Sequence, residues 1–193
     1  MRTLPRIFFP IFLLILFSLL AGAASAQNLS AGNVFAGYSF ARATLAFGQN
    51  ANLNGWNISA EKKYLPFLGI VVDASGHYGP ANISAVACNG ASSTCYVSGN
   101  VQESTFQLGV RGSYSTGRIR PFAEFLLGAA LVNQSAQGFS NSSTGLIATL
   151  ETGIDIQLTR HFAWRTDAGL IQTGSFPNGQ NSLRASSGLA YFF

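Results

Sequence analysis

From residue 33 to the C-terminus, Val, Ile, Leu and Phe alternate with small or polar residues. A period of two is the mark of strands with chemically different faces, and no stretch sustains a helical period. The alternation predicts eight strands, at about 33–42, 54–63, 67–79, 101–114, 120–132, 144–158, 161–172 and 182–193. Most reach the roughly 9–11 residues that a tilted strand needs to cross a bilayer.

The connections alternate too. Long segments at 43–53, 80–100, 133–143 and 173–181 are separated by short ones at 64–66, 115–119 and 159–160. Short turns at one end and long loops at the other are the pattern of an outer-membrane barrel. The expected fold is therefore all-β: an eight-stranded antiparallel up-and-down transmembrane barrel. With the N-terminus in the periplasm the four long loops face outward. An even strand number returns both ends of the chain to the same side.

The charges provide an independent test of the phase. If Asp73 points inward, so do Gly69, Val71, Ser75 and His77, while Ile70, Val72 and Tyr78 point out. If Arg111 points inward, Glu103, Thr105 and Gln107 join it, opposite Phe106, Leu108 and Val110. Glu151 and Asp155 share a parity opposite Leu146, Leu150, Ile154 and Ile156. The same holds for Glu61 against Trp56 and Ile58, Glu124 against Phe125 and Leu127, Arg165 and Asp167 against Trp164 and Leu170, and Arg184 against Leu183 and Leu189. All seven acids fall on the polar parity. A charge on the lipid face at mid-bilayer costs about 2–4 kcal/mol, so a membrane barrel requires this phase, whereas a water-soluble barrel reverses it. Lipid also demands closure, since edge N–H and C=O groups have no partner in hydrocarbon. An eight-stranded lumen is narrow enough for side chains to fill. The expectation is a plug of ion pairs centred on Arg111 and Arg165, at one level. The surplus acids are left to protonation or to bonds with Ser, Thr or water.

Composition agrees. Charged residues make up 9% of the chain and hydrophobic ones 48%, against about 25% charged in typical soluble proteins. The one apolar run near the roughly 20 residues of a spanning helix is N-terminal. Arg2 and Arg6 flank the start of the apolar stretch from Ile7 to Leu20, and Ala24-Ser25-Ala26 is a small-residue cleavage site. The reading is a signal peptide over 1–26, cut between Ala26 and Gln27, ahead of a barrel domain over 27–193. The alternative is an uncleaved anchor. No Cys follows the site, so a lipid-modified N-terminus is not expected. Loss of Arg2 and Arg6 leaves nine basic against seven acidic residues, a net charge of +2. That balance gives no case for nucleic acid. Lys62, Lys63, Arg118, Arg120 and Arg160 fall mostly in short connections. Cys88 and Cys95 share one polar segment, and an oxidising compartment points to a disulfide closing that loop. The segment offers no His, Asp or Glu to support a metal site. Asn-x-Ser/Thr sequons such as Asn82-Ile83-Ser84 are chance matches in a bacterial protein.

Catalysis has two openings. Glu151 and Asp155 form a carboxylate pair, but lumen packing accounts for them, since buried charges are normally paired. A Ser-His-acid set is conceivable from Ser75, His77 and Glu103; His161 is expected at a periplasmic turn. Barrel lipid A deacylases carry a His-x-Ser motif, and here the corresponding steps read His77-Tyr78-Gly79 and His161-Phe162-Ala163. No phosphate-binding loop or metal cluster occurs. No catalytic, metal-ligating or cofactor-binding residue is assigned, no cofactor is expected, and the chain is not read as an enzyme.

The final residues, SSGLAYFF, carry a resemblance. Ser186, Gly188, Tyr191 and Phe193 occupy the polar, Gly and aromatic places of the C-terminal assembly signal of outer-membrane barrel proteins. With the signal peptide and the eight strands, the mature chain resembles the small barrels of the OmpA/OmpX type. The periplasmic peptidoglycan-binding module that some members add is not expected here. The resemblance implies the outer membrane of a Gram-negative-type bacterium, a lipid and lipopolysaccharide surround, and dealings with periplasmic chaperones and the barrel-assembly machinery. It also implies a monomer with a structural or adhesion-like role through long loops that meet an extracellular partner. A narrow channel or carrier for small or hydrophobic compounds is the alternative. A lipid-modifying outer-membrane hydrolase is a more distant one.

Overall fold

The computed structural model describes residues 31–44, 50–85, 95–136, 139–173 and 180–193. Eight strands follow in chain order: β1 Gly32–Thr44, β2 Asn50–Leu65, β3 Leu68–Ala85, β4 Cys95–Ser113, β5 Ile119–Ala136, β6 Phe139–Gln157, β7 Phe162–Thr173 and β8 Gln180–Phe192. Each pairs antiparallel with the next, and β8 pairs with β1 to close the barrel. Among the described residues no helix is long and apolar enough to cross a membrane, so the crossing falls to strands. This is the closed up-and-down barrel that the alternation predicts.

The turns at one end are short because their residues suit tight reversals. Pro66 stands between Leu65 and Leu68, which pair across the β2–β3 turn. Gly117 takes φ +61° between Thr116 and Ile119, which exchange two backbone hydrogen bonds of 2.8 and 3.1 Å. A positive φ there is strained for any residue with a Cβ. At the β6–β7 turn the Thr159 hydroxyl accepts from the Phe162 amide at 3.1 Å. Short turns place this end in the periplasm. The seam lies at the same end, where Gly32 and Phe193 exchange backbone bonds of 3.3 and 3.2 Å.

The two faces are chemically inverted relative to a soluble barrel. Outward residues include Ile58, Leu108, Leu127, Leu150, Trp164 and Leu189, all exposed, whereas Arg165 and Arg184 are fully buried. A polar interior behind an apolar wall is stable only when lipid surrounds the wall. The closed ladder meanwhile pairs the backbone in the hydrocarbon.

At the opposite end the strands run further than expected. β3, β4, β5 and β6 have 18 or 19 residues, while β1, β7 and β8 have 12 or 13. The expected loop at 80–100 is instead largely strand: β3 and β4 stay in register to Ala85 opposite Cys95. The expected loop at 133–143 is likewise a hairpin, in register to Ala136 opposite Phe139. The ends of the expected 43–53 loop and of the 173–181 loop also belong to strands. These segments are rich in Asn, Ser and Gly and lack the apolar alternation that marks a half-buried strand. Beyond the membrane both faces meet water, so ladder bonds hold the strand without an apolar face. Five or six extra residues at about 3.4 Å each, tilted by about 40°, project roughly 15 Å past the short strands.

Candidate functional site

The lumen is organised in tiers. Nearest the periplasm, Phe35, Ala163, Ala190 and Phe192 form an apolar floor. Phe192 points inward, and the Arg120 guanidinium lies 4.5 Å from its ring centre. Above it the β4–β5 ladder sets Arg111 opposite Glu124. Arg111 Nε donates to Glu124 Oε2 at 2.6 Å, and its Nη1 reaches Glu61 Oε2 at 3.4 Å. Asn33 donates to the same Glu61 oxygen at 2.6 Å and accepts from Arg165 Nη2 at 3.1 Å. Arg165 also donates to both Asp155 oxygens, at 2.6 and 3.0 Å. Asn33 thus links two ion pairs into one network. The Phe122 ring lies 4.5 Å from the Arg111 guanidinium and 4.9 Å from that of Arg165, so both cations contact one aromatic ring. Lys63 closes the lower side, 3.9 Å from Glu61 and donating to Ser113 Oγ at 2.6 Å.

A second tier is built on Arg184. Its Nε and Nη2 donate to the two Glu151 oxygens at 2.7 and 2.6 Å, a bidentate pair. Its Nη1 reaches Asp73 Oδ1 at 3.0 Å and Ser75 Oγ at 3.4 Å. Asn57 holds the other Asp73 oxygen at 2.6 Å, and Ser75 meets Thr105 at 2.7 Å. The single level centred on Arg111 and Arg165 is therefore corrected to two tiers, with Arg184 a third hub joining β8 to β3 and β6. Strand stagger separates residues that counting along each strand puts at one height. Glu103 and Asp167 are also inward and buried. Glu103 stands opposite His77 in the β3–β4 ladder, and Asp167 opposite Ser186 in the β7–β8 ladder.

His77 bonds to a serine other than the one the sequence suggests. Its Nε2 lies 2.9 Å from Ser39 Oγ, which in turn is 3.1 Å from Ser186 Oγ. Ser75, two residues away on the same strand, turns towards Thr105 and Arg184 instead. Ser39 lies far off in sequence on β1 and comes to His77 only through barrel curvature. Both Ser39 and His77 have 0% exposure. His161 lies at the periplasmic rim, its ring 6.0 Å from that of Tyr191.

Above the charges the lumen turns apolar. Ala41, Ala43, Ala51, Leu53 and Val101 pack together with Val132, and Ala130, Ile147 and Ile171 form a neighbouring cluster. The neutral linkers Asn33, Asn57 and Ser39 and the inward Phe35 and Phe122 are not marked as network members in the sequence. Their parity alone places them inside, but nothing in composition separates them from ordinary lumen filling.

At the C-terminal strand, Ser186 points inward while Tyr191 and Phe193 point outward. Tyr191 packs 5.2 Å from Phe162 and 6.5 Å from Phe193. Gly188 pairs with Gly37 across the seam. A Cβ on Gly188 would meet the Ala36 carbonyl oxygen at 2.3 Å and the Gly37 Cα at 2.4 Å. The glycine thus admits a neighbouring backbone. Cys88 and the cleavage site at Ala26 and Gln27 lie outside the described residues, so neither the Cys88–Cys95 pairing nor the cleavage falls within them.

No family model matches the sequence, and no curated protein matches it. Solved structures do. Neisserial surface protein A superposes with a TM-score of 0.65 at 15% identity, over 86% of this chain and 100% of that one. Ail, the attachment invasion locus protein of Yersinia pestis, gives 0.60 at 12% identity over 86% and 100%. The outer membrane protein OprG from Pseudomonas aeruginosa gives 0.59 at 11% identity over 88% and 99%. Identities this low speak to fold. With an apolar outer wall, a polar lumen and a closed ladder, the chain has the fold of the small eight-stranded outer-membrane β-barrels.

Proposed function

We propose that the chain is a non-enzymatic outer-membrane protein with a plugged lumen, which presents its extended β3–β6 sheet outside the cell as a surface-interaction element. The unequal strand lengths carry this reading. The sheet rises past the last large outward apolar residues of its strands, Tyr78, Phe106, Leu131 and Leu146. Above them, Pro80 apart, the described outward positions are polar, among them Asn100, Ser135, Ser140 and Ser142. A stiff polar sheet held clear of the membrane suits contact with a partner in solution or on another cell. A Cys88–Cys95 bridge would pin its tip. Exposed Arg42, near the outer end of β1, suits lipopolysaccharide phosphates. Ser186, Gly188, Tyr191 and Phe193 serve as the assembly signal after cleavage at Ala26 and passage past periplasmic chaperones to the assembly machinery. The barrel works as a monomer.

The test uses bacterial cells expressing the full chain or a variant with residues 82–98 replaced by Asn-Gly, both checked for the heat-dependent gel shift of a folded barrel. Adherence to host cells or matrix should fall in the variant while the barrel persists. Equal adherence sinks the reading. In planar bilayers conductance should stay near zero, because the ion pairs span the lumen; steady conductance removes the plug. The apolar upper lumen favours a second reading, a carrier for small hydrophobic compounds. Uptake of an apolar dye into proteoliposomes, faster than into protein-free vesicles, would support it.

A further inference from the structure

The barrel segregates its charges by sign. All seven Asp and Glu residues are buried in the lumen. Among the described residues every exposed charged side chain is a cation: Arg42, Lys62, Arg118 and Arg160. Three of these four lie at the short-turn end, one for each turn. Lys62 closes β2 ahead of the first turn, Arg118 sits in the second and Arg160 in the third. Consecutive turns are two strands apart, so in an eight-stranded barrel successive cations stand about a quarter of the circumference from one another, and Lys62 and Arg160 about half. No exposed Asp or Glu side chain stands at that rim to pair with them, and the one acid there is the α-carboxylate of Phe193 beside Gly32.

Aromatic and apolar side chains fix their depth. Lys62 Nζ lies 5.9 Å from the centre of the Tyr64 ring. Tyr64 and Phe67 are exposed beside Lys62, Tyr114 and Ile119 beside Arg118, and Phe162 and Tyr191 beside Arg160. Such aromatics settle at headgroup level in barrels. Lys63 and Arg120 are different: half-buried, they turn towards Glu61 and Ser113 and towards Ser115 and Phe192.

We infer that Lys62, Arg118 and Arg160 form a cationic collar that binds the phosphodiester headgroups of anionic phospholipids in the periplasmic leaflet. The inference rests on the chain being a membrane barrel. A cation at a membrane surface corresponds to about a fivefold preference for anionic over neutral lipid, weakened by salt.

The two tryptophans allow a direct test. Trp164 lies near the periplasmic end of β7, and Trp56 lies towards the other end of β2; both face lipid. W56F and W164F variants each leave one reporter. Each is reconstituted into phosphatidylcholine vesicles with brominated phosphatidylglycerol or brominated phosphatidylcholine as quencher. Quenching of Trp164 should favour phosphatidylglycerol about two- to fivefold at low salt. The preference should drop to near one in K62Q/R118Q/R160Q and persist in K62R/R118K/R160K. The triple glutamine change should leave quenching of Trp56 as it was. No preference at Trp164, or a preference that survives the glutamine variant, overturns the collar. So does competition by inorganic phosphate beyond that of chloride at equal ionic strength, which would assign the site to free anions. Failure of the barrel reading would show separately, as loss of the heat-dependent gel shift in the parent protein.

Discussion

Replacing Arg184 with Met removes the hub of the upper tier while keeping a long unbranched side chain. Arg184 is 1% exposed, and it holds both oxygens of Glu151 and one of Asp73. The two acids are not left in equal straits. Asp73 keeps its 2.6 Å bond from Asn57. Glu151 loses the partner of both its oxygens. Taking one member from a buried ion pair costs about 3–5 kcal/mol, chiefly as the cost of the charge left behind. The expected loss for R184M is therefore about 3–5 kcal/mol, with most of it assigned to Glu151. E151Q alone leaves Arg184 with Asp73 and should cost less, about 1–2 kcal/mol, as for a lost charged hydrogen bond. The double variant R184M/E151Q should be more stable than R184M alone. Guanidinium unfolding from detergent micelles, followed by fluorescence of Trp56 and Trp164, measures all four corners of the cycle. An R184M loss under about 1 kcal/mol, or losses that simply add, would refute the claim that the pair is dry and coupled.

Three further outcomes are expected. Leu150 is 61% exposed on the lipid face midway along the apolar run of β6, and L150R should destabilise the vesicle-embedded barrel by about 2–4 kcal/mol in the same assay, with much less effect in detergent. A Cβ on Gly169 would lie 2.2 Å from Glu151 Cγ and 2.3 Å from the Leu150 carbonyl oxygen; G169V should lower stability by at least about 1–3 kcal/mol through overpacking beside the Arg184 pair, and a midpoint equal to the parent's would contradict that close approach. F193A should slow the appearance of heat-modifiable barrel in pulse-labelled cells while leaving detergent refolding within about twofold of the parent, since a single rim contact is worth little to the finished barrel; unchanged assembly in cells would detach Phe193 from the signal.

The alternation carries an inward or outward choice at each position, which is why strand number, closure and face are legible without coordinates. It carries nothing about partners. Arg184 meets Asp73 across 111 residues of chain, a contact set by shear and curvature, both properties of the closed sheet. Ser39 reaches His77 for the same reason, while Ser75, the nearer serine in sequence, looks elsewhere. The outer halves of β3 to β6 were illegible for a different reason. Hydrophobic patterning reports a strand only where its two faces meet different media, and above the membrane they do not. Asn, Ser and Gly there read as loop, although backbone pairing continues to Ala85 and Cys95.

The ion pairs also differ in when they can form. Arg111 and Glu124 are 13 residues apart, and Arg165 and Asp155 are 10 apart, each pair within one hairpin. A hairpin that pairs its charges locally presents less unneutralised charge to the membrane before the barrel closes, when isolated charges are most costly. Arg184 has no such local partner: its acids lie 33 and 111 residues away, and Ser186 on the same strand meets Ser39 across 147. Glu151 meets Arg184 across β7, within the β6–β8 meander, whereas the contacts to Asp73 and Ser39 exist only once β8 has met β1. If closure follows the rate-limiting step, D73N should act mainly by raising the unfolding rate, whereas E124Q, which breaks a hairpin-local pair, should also slow folding. Folding and unfolding arms measured in vesicles separate the two cases. Equal slowing of folding by D73N and E124Q would place closure at or before the transition state and remove the temporal order between the seam-crossing and hairpin-local contacts.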